Sequence, residues 1–152
     1  MAGIWVKNAN VNGGNAIYVN GSFTYASKSM AKIEPVIAKT AADGKPDIDE
    51  ASLGGIENPT ITLTGVFDTN NYDSNDMSPV YIIQLWRERT ADTYLMITVG
   101  ESDYSMPDYN GTQPTDWSNA VKVVLTGFEF SGDQTSVKSH LIRYRLTFRI
   151  TK

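Results

Sequence analysis

The candidate general base in this chain is His140, its single histidine, and there is no cysteine to act as nucleophile or thiolate ligand. An imidazole working as general base also needs an orienting carboxylate and a pocket, and an acyl-transfer enzyme needs a nucleophile on a strained turn such as Gly-x-Ser-x-Gly. No such turn occurs in the sequence. A lone histidine without cysteine likewise falls short of a conventional zinc site. Asp68-Thr69-Asn70-Asn71-Tyr72-Asp73 opens like a calcium loop, with oxygen ligands at alternate positions. The sixth position, which needs glycine for a sharp turn, is Asp73, and the twelfth, which should carry a bidentate glutamate, is Pro79. The segment reads as a polar surface loop. These residues predict no catalytic group, no metal and no cofactor, and a protein that is not an enzyme.

Two other groups of side chains have binding potential. The stretch from Gly100 to Asn119 gathers Asp103, Tyr104, Asp108, Tyr109, Asn110, Asp116 and Trp117 around two prolines. Tyr104, Tyr109 and Trp117 are candidate glycan contacts, since aromatic faces supply stacking area and neighbouring polar groups fix orientation. The competing reading, favoured because composition without geometry shows no convergence on one pocket, is a loop folded back to bury its aromatics over an open end of the fold. Asn20-Gly21-Ser22 and Asn110-Gly111-Thr112 match the glycosylation triplet, but without a secretory signal they read as turns. Arg143, Arg145 and Arg149 are the remaining concentrated charge. They fit equally a solvated face, where each pair contributes about 0–1 kcal/mol, and a contact with carboxylates of a neighbouring strand or subunit.

The elements that carry these residues follow from periodicity. From His140 to Lys152, Ile142, Tyr144, Leu146, Phe148 and Ile150 alternate with Arg143, Arg145, Thr147, Arg149 and Thr151, the signature of a long strand with one buried face. Thr60 to Phe67 alternates in the same way, with Ile61, Leu63 and Phe67 on one side. Further strands are expected at Gly3–Val6, Tyr94–Val99 and Val121–Phe130; in the last, the apolar face changes sides near Gly127, which predicts a bulge. Asn20-Gly21 between Ala16–Val19 and Ser22–Tyr25 predicts a hairpin pairing Val19 with Ser22. Ser78 and Pro79 can open a helix running to about Arg89, with a buried strand over Val80–Ile83 as the competing reading. The stretch from Ser27 to Asn58 has weak patterning; it is expected to be an extended arm with a short strand near Ile33–Ala38.

Composition sets the outer limits. At 152 residues, 41% of them hydrophobic, the chain reads as one domain able to bury roughly 68–70% of its unfolded surface. A formal charge of −4 argues against sequence-specific nucleic-acid binding. No apolar run approaches the ~20 residues that span a bilayer, so no membrane partner is expected. The fold class expected is mainly β, an antiparallel β-barrel or β-sandwich with one flanking α-helix and long loops.

The succession of Ile56-Glu57-Asn58-Pro59 and the Thr60–Phe67 strand, a helix holding Ile82-Ile83-Gln84-Leu85-Trp86, Leu95–Gly100, Val121–Phe130 and an alternating aromatic last strand resembles tail-tube and distal-tail proteins of tailed viruses and related contractile injection systems. The resemblance covers residues 56–152 and is one of pattern, without a diagnostic motif. It implies a virion tail protein, assembled in the host cytoplasm, that forms a hexameric ring with itself, contacts other tail proteins, and surrounds a channel through which nucleic acid passes without specific binding. It also implies that the arm reaches a neighbouring ring, which makes Lys45, Pro46, Asp47 and Asp49, together with Arg143, Arg145 and Arg149, candidate interface residues. In the arrangement expected, acidic residues line the channel and the arginines point away from it toward another subunit. The alternatives are a baseplate or distal-tail adaptor and a glycan-binding β-sandwich module.

Overall fold

The computed structural model describes residues 2–27, 34–40, 46–52, 58–135, 137 and 139–151; over 34–40 and 46–52 it describes the backbone. The chain divides into two compact units, Met1–Ala26 with Pro59–Lys152, and Ser27–Asn58. The elements are β1 (Gly3–Asn8), β2 (Ile17–Val19), β3 (Gly21–Ala26), β4 (Glu34–Thr40), β5 (Pro46–Ser52), β6 (Thr60–Asp68), α1 (Pro79–Arg87), β7 (Thr93–Val99), β8 (Tyr104–Ser105), β9 (Val121–Gly132) and β10 (Leu141–Ile150). In the smaller unit β4 and β5 pair antiparallel, Ile37 opposite Ile48, so the segment expected to hold one short strand holds two paired strands. Lys45 lies outside the described residues, and Pro46, Asp47 and Asp49 fall on β5.

The larger unit is one eight-stranded antiparallel sheet in the order β2-β1-β7-β9-β10-β6-β3, with β8 added to β7. Alternation explains its centre. Tyr144, Leu146, Phe148 and Ile150 are buried, and opposite them on β6 lie Gly65, Leu63 and Ile61, with Leu63 facing Leu146 and Ile61 facing Phe148. Each fully buried aliphatic or aromatic side chain of this kind contributes about 1.5–3 kcal/mol relative to exposure. The mainly-β architecture, with a single α-helix among the described residues, is thus the one the periodicity predicts.

The expected bulge is present. Thr147 faces Gly127 while Phe148 faces Leu125, so Thr126 is the extra residue. Below it Val121, Val123 and Leu125 face the core; above it Phe128 and Phe130 do, opposite Leu146 and Tyr144. One inserted residue reverses the alternation, as the sequence pattern requires.

The expected Asn20-Gly21 hairpin does not form. Val19 pairs with Ile4 of β1, and Gly21 pairs with Gly65 of β6, so β2 and β3 occupy opposite ends of the sheet order with Asn20 between them. The sheet therefore curls, bringing its two ends to one corner, and stays open there. Neither Asn20 nor Gly21 takes the positive φ that a two-residue hairpin demands. Gly21 serves close approach instead: a Cβ there would run into the Thr64 carbonyl and Gly65 backbone.

The helix begins where the sequence predicts. Ser78 Oγ accepts from the Tyr81 N–H at 3.4 Å, Pro79 follows at the first helical position, and Ile82 and Leu85 are fully buried. Its C-terminal turn is tied to β1 by Asn8, itself buried, whose Nδ2 donates to the Glu88 carbonyl at 3.2 Å and to Thr93 Oγ1 at 3.0 Å.

Candidate assembly interface

The strands β9, β10, β6 and β3 form a run with two open edges. On its far side β9 pairs with β7 only over Val121–Val123, and β3 is the last strand of the sheet. Which backbone groups face those edges follows from ladder alternation, because a residue in an antiparallel strand points both its N–H and its C=O to one neighbour. Val66 N–H donates to the Asn20 carbonyl at 3.1 Å, and Thr60 Oγ1 donates to the Ala26 carbonyl. Ser22, Thr24 and Ala26 consequently turn toward β6, and Gly21, Phe23 and Tyr25 point their backbone groups outward. On β9, Thr151 N–H donates to the Lys122 carbonyl at 2.9 Å, which sets the even-numbered residues toward β10 below the bulge. Above the bulge the parity reverses, and Phe128, Phe130 and Gly132 face the open edge. Among the described residues no backbone group pairs with either edge at these positions.

Four of the same residues carry aromatic side chains. Phe128 and Phe130, though on the core face, are 36% and 37% exposed, and their rings lie 5.3 Å apart. Trp86 of α1 meets Phe128 edge-on at 5.5 Å, and the Arg89 guanidinium lies 4.4 Å from the Trp86 ring. Phe23 and Tyr25 on β3 are half-buried against the core, with Tyr25 Oη donating to the Pro107 carbonyl at 3.3 Å. Burial, with the Asp108 charge behind it, raises the Tyr25 pKa, which keeps that hydroxyl a donor. A groove of about 660 Å³ continues along β9 at Lys122–Thr126, with Trp86 and Arg89 on its other wall.

The arginines are where alternation places them. Arg143, Arg145 and Arg149 are exposed on the outer face of β10, opposite Val66, Thr64 and Thr60 of β6. Arg145 Nη1 pairs with Glu129 Oε1 at 3.2 Å across to β9. Both partners are well exposed, so the pair contributes little to stability. Around them the outer face is rich in hydroxyls, with Ser22 and Thr24 on β3, Thr62 and Thr64 on β6, and Ser131 on β9.

The glycan candidates differ in exposure. Tyr104 and Tyr109 are 54% and 45% exposed, whereas Trp117 is half-buried with Lys7 Nζ 5.5 Å from its ring. Trp117 lines a groove of about 550 Å³ with Met96, Thr98 and Asp116, and neither tyrosine lines it. Asp116 is spent on structure: its carboxylate accepts from the Ser118 hydroxyl and N–H, which lowers its pKa. His140 contributes through its backbone, its carbonyl accepting from Thr69 N–H at 2.9 Å and Thr69 Oγ1 at 3.1 Å. In the calcium-like loop, Asp68 and Asp76 accept backbone N–H groups of Asn70 and Asp73, and no acidic cluster suited to a metal occurs among the described residues.

Among solved structures, the chain is similar to a chain from the tail of an empty gene transfer agent particle refined with C6 symmetry, at 10% identity and a TM-score of 0.49, over 99% of this chain and 91% of that one. A chain of the native gene transfer agent virion is similar at 10% identity and a TM-score of 0.43, over 98% and 91%. A chain of the anti-feeding prophage baseplate is similar at 12% identity and a TM-score of 0.38, over 100% and 91%. No protein family and no curated protein matches the sequence. At these identities and scores the likenesses assign no family.

Proposed function

We propose that this protein is a structural subunit of a phage-type tail, most specifically a tube subunit, that joins copies of itself head to tail into a ring around a channel. The carrying observation is the pair of open edges on opposite sides of β9-β10-β6-β3. Their four strands alternate in direction, so a neighbouring copy placed in the same sense brings its β9 antiparallel to β3. Head-to-tail contact uses both edges, and a closed ring leaves none exposed to aggregation. A hexameric ring of such four-stranded segments would far exceed the ~16–18 strands at which barrels already leave an aqueous channel. The tail assignment itself rests on the order of elements over residues 56–152.

In such a ring the core face of each segment carries β1, β2, β7 and α1, and that bulk has room only on the outside. The face bearing Arg143, Arg145 and Arg149 then lines the channel, which reverses the orientation the sequence suggested. Nucleic acid passing through would meet guanidiniums and hydroxyls that touch phosphates and read no bases. The subunit acts as a structural part without catalysis or cofactor, in the particle tail beside other tail proteins, after assembly in the host cytoplasm. Electron microscopy and sedimentation of the purified full chain test the reading: rings or stacked tubes are expected, and a dispersed monomer at high concentration would overturn it.

A further inference from the structure

We infer that the contact between copies has a single register, set by Phe23 and Tyr25 of one copy lying opposite Phe130 and Phe128 of the next. The inference rests on the head-to-tail reading above and deepens it. β3 has six residues, Gly21–Ala26, and the open edge of β9 above its bulge spans the matching stretch Gly127–Gly132. Laid antiparallel end to end, Gly21 meets Gly132, Phe23 meets Phe130 and Tyr25 meets Phe128. These are the residues whose N–H and C=O groups face the two edges, so each opposed couple can exchange both hydrogen bonds. Their side chains also share the core face, which joins two aromatic couples into one strip. Ser22 and Ser131, and Thr24 and Glu129, meet on the polar face.

Other registers fail for stated reasons. A slip of one residue sets aromatics against the polar face and turns donors away from acceptors together. A slip of two restores both but breaks one aromatic couple and leaves paired groups at each end without partners. Extension past Thr126 meets the reversed alternation of the bulge. Two of the rings already have fixed partners, Phe128 in its edge-on contact with Trp86, and Tyr25 through its hydroxyl on the Pro107 carbonyl. Little side-chain freedom is therefore lost when copies meet.

The absence of cysteine allows a direct test. In the double variant Ser22→Cys/Ser131→Cys the two sulfurs of one chain sit on opposite edges, three strand spacings apart, too far for an internal disulfide. Oxidation of assembled protein is expected to give a covalent ladder ending at the ring size. The shifted variant Ser22→Cys/Glu129→Cys is expected to give none. Rings that cross-link through the shifted pair, or through both equally, would overturn the register while leaving the ring reading intact. Failure of the unmodified protein to form rings would overturn both. As a second measurement, Phe130→Ala is expected to raise the concentration needed for assembly about tenfold with the monomer's circular dichroism unchanged; an unaltered threshold would count against the aromatic lock.

Discussion

Tyr144 packs closely beneath β6. Its ring is buried beneath Gly65, where a Cβ would collide with the phenol, and its hydroxyl is fully enclosed. The Asn20 backbone approaches that hydroxyl without completing a hydrogen bond, so desolvation dominates and drives the Tyr144 pKa far above that of a free phenol. A buried hydroxyl left unsatisfied costs about 1–3 kcal/mol, and its removal from a ring that otherwise fits perfectly well is close to free. Tyr144→Phe is therefore expected to match or exceed the parent's stability in urea titration; a loss above about 1 kcal/mol would mean the Asn20 contact is a working hydrogen bond. The pH dependence has a definite sign. Because the folded pKa lies above the unfolded value of about 10, the unfolded chain releases this proton first, and stability falls as pH rises past that value. The Phe variant should lose that part of the alkaline decline.

Strand formation was legible in the sequence wherever one face is buried, and strand partnership was not. β6 and β10 are written out by alternation, the bulge in β9 by the phase change at Gly127, and α1 by Ser78 and Pro79. Asn20-Gly21 misleads because the dipeptide encodes the capacity for a hairpin, whereas the competing edges of β1 and β6, far away in sequence, decide the pairing. The open edges escaped for the same reason: a missing partner leaves no local mark. Two glycines separate these causes. Gly21→Ala thrusts a methyl into the Thr64 and Gly65 backbone, which cannot rotate aside, and is expected to lower stability by about 1–3 kcal/mol. Gly127→Ala meets nothing within 4 Å at a negative φ and is expected to stay within about 0.5 kcal/mol of the parent. Thermal unfolding of the two variants side by side checks the contrast; equal losses would mean that the bulge, too, needs glycine.

For the whole molecule, the proposed ring leaves one question, which face of the four-stranded segment it would turn inward. The formal charge of −4 gives the protein no net positive field, yet Arg143, Arg145 and Arg149 gather positive charge on one sheet face, offset there by Glu129. If that face lines the channel, replacing all three arginines with glutamate leaves the backbone edges and the aromatic strip untouched. Assembly should then persist, with unchanged sedimentation of rings, while retention of a labelled oligonucleotide at low salt is lost together with its salt dependence. If instead the guanidiniums hold a neighbouring subunit, the same variant should remain folded as a monomer and fail to assemble. Sedimentation and fluorescence anisotropy on one preparation separate the two outcomes, because edge pairing and surface charge make independent contributions to them.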